Sequence, residues 1–168
     1  MRTNRFAKSA LLALALTVCI AGAATAGPPW ISIETPVNPF DATTRGAYLL
    51  VHSFHHGTEV GYPISGTAEG IVNGERKRVV LQFTQTSRQG VYALKKNWDD
   101  RGTWTLVIAV EQGKDDVAQA IVDIGSNGEV ARVNVPTKVG ERGLSFPRQL
   151  SGREIEEALR ARVAVAAR

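Results

Sequence analysis

Apolar and polar side chains alternate with a period of two through most of the chain, which predicts strands rather than helices. Trp30-Ile31-Ser32-Ile33-Glu34 is the first such stretch, with Ile31 and Ile33 on one side and Trp30, Ser32 and Glu34 on the other. Pro28, Pro29, Pro36 and Pro39 flank it, which suits an edge strand because proline cannot donate to a ladder. The run from Ala47 to Phe54 is continuously apolar in its first half and reads as an inner strand covered on both sides.

Gly66 to Phe83 predicts a hairpin. Thr67–Val72 runs out, Asn73-Gly74 turns, and Arg76–Phe83 returns with Val79, Leu81 and Phe83 on one side. Asn-Gly is a strong turn signal because both residues tolerate positive φ. Val91–Leu94 follows Gly90, and Thr103–Val110 follows Gly102 with Trp104, Leu106, Ile108 and Val110 forming one heavily apolar face. A second Asn-Gly pair, Asn127-Gly128, joins Val117–Ile124 to Glu129–Val135. The spacing is that of a sandwich or barrel. The expected fold is all-β: an immunoglobulin-like antiparallel β-sandwich of about seven to nine strands over residues 27–137.

The pattern changes after that. Residues 138–150 are polar and contain glycine, and read as a linker. Within residues 151–168, Ser151-Gly152-Arg153-Glu154 has capping-box spacing. Ile155, Leu159 and Val163 then recur every four residues, which predicts a helix over about 152–166. Such a helix docks on its own sandwich or offers its apolar stripe to a partner.

The first 26 residues follow a third pattern. Arg2, Arg5 and Lys8 precede a short apolar run, and Ala24-Thr25-Ala26 closes it. This is the layout of a secretory signal peptide cut after Ala26. The run falls short of the roughly 20 apolar residues that span a bilayer, so no transmembrane segment is expected in the mature chain. Cys19 is preceded by Val18 rather than a small residue, while Leu16 suits a lipid-attachment site; lipidation stays open. The expected location is periplasmic or secreted.

Cleavage changes the charge balance. The whole chain is +4 with 20 basic residues, but residues 27–168 hold 17 basic and 16 acidic ones. The apparent basicity therefore belongs to the leader, and nucleic acid is not an expected partner. The same 142 residues contain no cysteine and no methionine. Soft-metal sites built from cysteine or methionine are thus excluded, and the domain must fold without disulfides.

One stretch carries a family resemblance. Phe83-Thr84-Gln85-Thr86 leads into Gly90-Val91-Tyr92-Ala93-Leu94, then Trp98, then Gly102-Thr103-Trp104-Thr105-Leu106-Val107-Ile108. This resembles the last hairpin of the YtkA-like and FixH-like group of bacterial extracytoplasmic β-sandwiches. The resemblance covers about 30 residues. It implies a sandwich in which Gly90 turns, Tyr92 keeps its hydroxyl near the surface and Trp104 plugs the core. Members of the group are linked to periplasmic metal-related processes, but no site motif carries over.

Candidate chemistry centres on the histidines. His52, His55 and His56 lie within five residues and are the protein's whole complement. Imidazoles suit copper, zinc or nickel. In an extended strand, however, His52 and His55 face opposite ways and His52 and His56 are too far apart to share one ion. A metal site would need the strand to end near Phe54, or Glu59 or Asp41 to contribute. Gly27-Pro28-Pro29 excludes an amino-terminal copper site, because proline has no amide proton to lose. Arg76-Lys77-Arg78 with Lys95-Lys96 reads as an edge-protecting charge run or a basic patch on adjacent strands. There is no G-x-S-x-G and no H-E-x-x-H, and Asp99-Asp100 and Asp115-Asp116 read as turn formers. The expected function is a non-catalytic binding or accessory module without a cofactor, its partner another envelope protein. The alternative is a copper- or zinc-binding protein using His52, His55 and His56.

Overall fold

The computed structural model describes residues 27–140 and 143–166. The expected leader, with Cys19, lies outside the described residues. In chain order the strands are β1 (Trp30–Glu34), β2 (Leu49–His55), β3 (Thr58–Glu59), β4 (Ile64–Val72), β5 (Glu75–Val80), β6 (Phe83–Gln85), β7 (Val91–Leu94), β8 (Thr103–Glu111), β9 (Val117–Ile124), β10 (Val130–Asn134), β11 (Thr137–Val139) and β12 (Ser145–Pro147). The helix α1 follows, Gly152–Ala166.

Two five-stranded antiparallel sheets enclose one core. The first runs β1-β2-β7-β6, with β3 extending from β2, and the second runs β10-β9-β8-β4-β5. In immunoglobulin lettering these are A-B-E-D and, with β10 beyond G, C′-C-F-G. The fold is therefore an immunoglobulin-like sandwich, as the strand spacing implied. Leu49, Val51 and Leu94 from the first sheet meet Leu106, Ile108 and Val122 from the second, all fully buried. Each contributes roughly 1.5–3 kcal/mol of burial.

Trp104 shows how residue sizes match across strands. It registers with Gly70 on β4, and its Nε1 donates to the Arg101 carbonyl at 2.9 Å. A Cβ on Gly70 would fall on the indole and lie 2.9 Å from the Thr103 carbonyl oxygen. Gly90 is constrained similarly: its φ is +74° and a Cβ there would come within 2.7 Å of the Val60 amide nitrogen.

The expected return strand Arg76–Phe83 is two strands, not one. Leu81 still donates to Gly66 at 3.0 Å, but Phe83 pairs with Leu94 in the other sheet. Val79, Leu81 and Phe83 all keep facing the core, so the alternation survives a change of sheet that it does not signal. The expected linker over 138–150 also differs. Thr137–Val139 pairs with Ser145–Pro147 as a small ribbon, which packs near β1 and β9.

The helix has the expected bounds and cap. Ser151 Oγ accepts from the Glu154 amide at 3.3 Å, and Glu154 Oε2 accepts from the Ser151 amide at 2.9 Å. Ile155 and Ala158 pack on Val107, Ile121 and Leu150 over the outer face of the second sheet. Leu159 is buried while Val163 stays 40% exposed. Among the described residues, no helix is long and apolar enough to cross a membrane.

Candidate functional site: the outer face of the first sheet

Strand β2 places His52 on the outward side of the first sheet and Ser53 and His55 on the other. Antiparallel pairing sets Trp30 opposite Phe54 and Ser32 opposite His52, and Glu59 opposite Phe54 on the far side. The outward face thus collects Trp30, Ser32 and Glu34 from β1, His52 and Phe54 from β2, and Glu59 from β3.

His52 is held at both ring nitrogens. Nδ1 lies 2.8 Å from Glu59 Oε1 and Nε2 lies 2.9 Å from Glu34 Oε2. The imidazole is buried, whereas the two carboxylates keep about a third of their side-chain surface exposed. Each ring nitrogen thus faces a carboxylate oxygen. Arg88 adds a cation 3.7 Å from Glu34 Oε2, and the same charge acts on Asp41. Asp41 is spent elsewhere: it accepts from the Thr43 hydroxyl and amide, which hold its carboxyl below the usual range.

Aromatic surface borders this cluster. Phe54 lies parallel to His52, ring centroids 6.0 Å apart. Trp30 is 42% exposed. A shallow depression of about 320 Å3 runs along Trp30, Ser32, Phe54 and Gly57.

The three histidines do not assemble. His56 occupies the β2–β3 turn with φ +48°, followed by Gly57 at φ +78°. Strand alternation has already put His55 on the opposite side from His52. There His55 lies edge-on to His56 (4.2 Å between centroids) and to Tyr62 (6.0 Å). Its Nδ1 is buried without a partner. Glu59 does reach a histidine, but it reaches His52, on the nitrogen facing away from Glu34. Two carboxylates on opposite nitrogens of one ring cannot share an ion with it. Among the described residues, no group of three or more His, Cys, Asp or Glu side chains is arranged to hold a metal ion.

The basic residues are also dispersed. Arg76, Lys77 and Arg78 lie on β5, the edge of the second sheet, whereas Lys95 and Lys96 follow β7 of the first. They are not on adjacent strands. Arg78 Nε and Arg76 Nη2 converge on Glu69 at 3.0 and 3.2 Å, Arg76 also binds Glu156 on α1, and Lys96 pairs with Asp100.

Glu69 is only 4% exposed and also accepts from Thr67 Oγ1 at 3.0 Å. A trough of about 710 Å3 lies beside it, between α1 and the β4–β5 edge. Its polar groups are engaged with one another: Ser65 donates to Glu111, and Arg76 bridges Glu69 to the helix. Asp123, 3% exposed, is held in the same manner by Arg132 at 2.8 Å and by Thr105 at 3.3 Å. Glu69 thereby ties the β4–β5 edge to the helix through Arg76, and Asp123 ties β9 to β8 and β10.

Alternation alone groups Glu34 with Trp30 on one side of β1, whereas its meeting with His52 depends on the β1–β2 register. Compared with protein-family models, with curated proteins and with solved structures, the chain matches none, and nothing in these comparisons identifies a YtkA-like or FixH-like family.

Proposed function

We propose that this chain is an exported, non-catalytic binding module that engages its ligand through the outer face of the first sheet. The observation that carries the reading is the register pair of an exposed Trp30 and a half-buried Phe54 bordering the Glu34–His52–Glu59 cluster. Exposed aromatic rings beside fixed hydrogen-bonding groups are the usual makings of a recognition surface. The deeply buried ionisable groups support it: His52, Glu69 and Asp123 are each committed to partners within the protein, whereas a catalytic acid or base needs a group free to exchange a proton with substrate. Export rests on the leader pattern of residues 1–26.

The test uses the protein expressed with its own leader and purified from the cell envelope. Retention on envelope fractions is compared between wild type, the double variant Trp30→Ala/Phe54→Ala, and Arg78→Ala on the trough. The expected result is a loss of about tenfold or more, roughly 1.4 kcal/mol, for the double variant and no change for Arg78→Ala. Equal retention of all three would reject the surface.

The metal-binding alternative narrows to His55 and His56, whose rings adjoin and one of whose nitrogens has no protein partner. Titration with Cu(II), Zn(II) and Ni(II), with His55→Ala and His56→Ala as controls, tests it. Absence of micromolar binding removes it.

A further inference from the structure

Resting on the reading of that face as a binding surface, we infer that its ligand is an uncharged saccharide, stacked on Trp30 and Phe54 and hydrogen-bonded by Glu34, Glu59 and Ser32.

The apolar part comes first. Trp30 and Phe54 are direct register partners on antiparallel strands, so their Cβ atoms are about 5 Å apart on the same side of the sheet. Both side chains line the depression on this face, and aromatic rings carry negative π-faces. One face of a pyranose ring presents C–H groups that are slightly positive, and such a face lies flat on an aromatic ring. The depression along Trp30 and Phe54, about 320 Å3 and open to solvent, suits a sugar chain lying across the surface.

The polar rim supplies what the sugar's hydroxyls require. His52 takes Oε2 of Glu34 and Oε1 of Glu59, which leaves the second oxygen of each carboxylate to accept. The imidazole fixes both carboxylates before any ligand arrives, so little side-chain entropy is lost on binding. Ser32 is exposed between Trp30 and Glu34 on the same strand face. The rim is rich in acceptors. Hydroxyl donors match it, while a proline-rich peptide, whose free groups are carbonyls, does not.

Charge narrows the class further. Two carboxylates, Glu34 and Glu59, outnumber the one guanidinium, Arg88, at this face. A polyanion would meet two carboxylates against one guanidinium, whereas uncharged hydroxyls donate to the remaining carboxylate oxygens with no charge to repel.

The test is tryptophan fluorescence and calorimetry with cellohexaose, chitohexaose, xylohexaose and laminarihexaose at millimolar concentration. Trp98 and Trp104 are buried, so a shift in emission reports Trp30. Saturable binding to at least one probe is expected, unchanged by salt up to about 0.5 M. Affinity falls about tenfold or more, roughly 1.4 kcal/mol, in Phe54→Ala and several-fold in Glu59→Gln, with the unfolding midpoints recorded for both variants. Binding that survives Trp30→Ala and Phe54→Ala overturns the inference. If no probe binds while the envelope retention still depends on Trp30 and Phe54, the saccharide is rejected and the surface stands. If neither is seen, both fall.

Discussion

The side chain of Glu59 folds back along the β2–β3 hairpin until its Oε1 lies 2.8 Å from Nδ1 of His52. With Glu34 at the other nitrogen, one imidazole joins β1, β2 and β3. Replacing His52 by leucine leaves two half-buried carboxylates without their donor. The expected cost is about 1–3 kcal/mol, read as a lower urea midpoint. Adding Glu34→Gln and Glu59→Gln to His52→Leu should recover part of that loss by removing the stranded charges.

Glu69 is the acceptor for Thr67, Arg76 and Arg78. Glu69→Ala should destabilise by about 1–3 kcal/mol, whereas Arg78→Ala, whose side chain is 69% exposed, should cost less than about 1 kcal/mol. Equal midpoints for the two variants in chemical denaturation would contradict this ordering.

Gly70→Ala places a methyl group against Trp104. The indole is buried and the Thr103 carbonyl is strand backbone, and overpacking of this kind costs about 1–3 kcal/mol. The near-ultraviolet circular dichroism of Trp104 should change with it. A variant as stable as wild type would mean that the two strands separate more easily than their packing implies.

The Glu154 carboxyl is held well below the usual glutamate range, chiefly by the Arg148 guanidinium and then by the Ser151 amide and hydroxyl. A depressed folded-state pKa stabilises the charged form. The advantage of wild type over Glu154→Gln is therefore full above the ordinary glutamate value of about 4.3 and shrinks as pH falls from there toward the depressed value. Thermal melts of both proteins across the acid range, followed at 222 nm, check the sign.

Tyr48 behaves in the opposite sense. Burial, with the Glu129 charge behind it, pushes its hydroxyl up to about 12, and the hydroxyl donates to the Gly128 carbonyl at 2.8 Å. Its contribution is intact below the ordinary tyrosine value of about 10 and is lost as pH rises through about 12. Tyr48→Phe keeps the ring edge-on to Trp98 and should cost about 1 kcal/mol at neutral pH. Ultraviolet titration should show one tyrosinate fewer at high pH.

Much of this architecture is legible in the order of residues because local rules govern it. Alternation marks β1, β7 and β9 with the bounds the structure gives, and the Ser151–Glu154 box marks α1. Asn73-Gly74 turns as expected, with φ of +52° and +82°. The turn at His56-Gly57 has the same form but carries a histidine where asparagine is the usual signal. The ribbon Thr137–Val139 with Ser145–Pro147 is short and polar, so its alternation is too weak to stand out. The candidate site is the least legible part. His52, Glu34 and Glu59 meet only through strand register, and the partners of Glu69 and Asp123 depend equally on which strands are neighbours.

The segment from Glu75 to Gln85 belongs to both sheets: it leaves β4 at Leu81 and joins β7 at Phe83, with Gln82 alone between them. With so little slack, neither layer can peel away while the other stays ordered, because lifting one drags on the backbone ladder of its opposite. The amides of the two layers should consequently exchange with solvent as a single block, and this domain should open all at once or not at all.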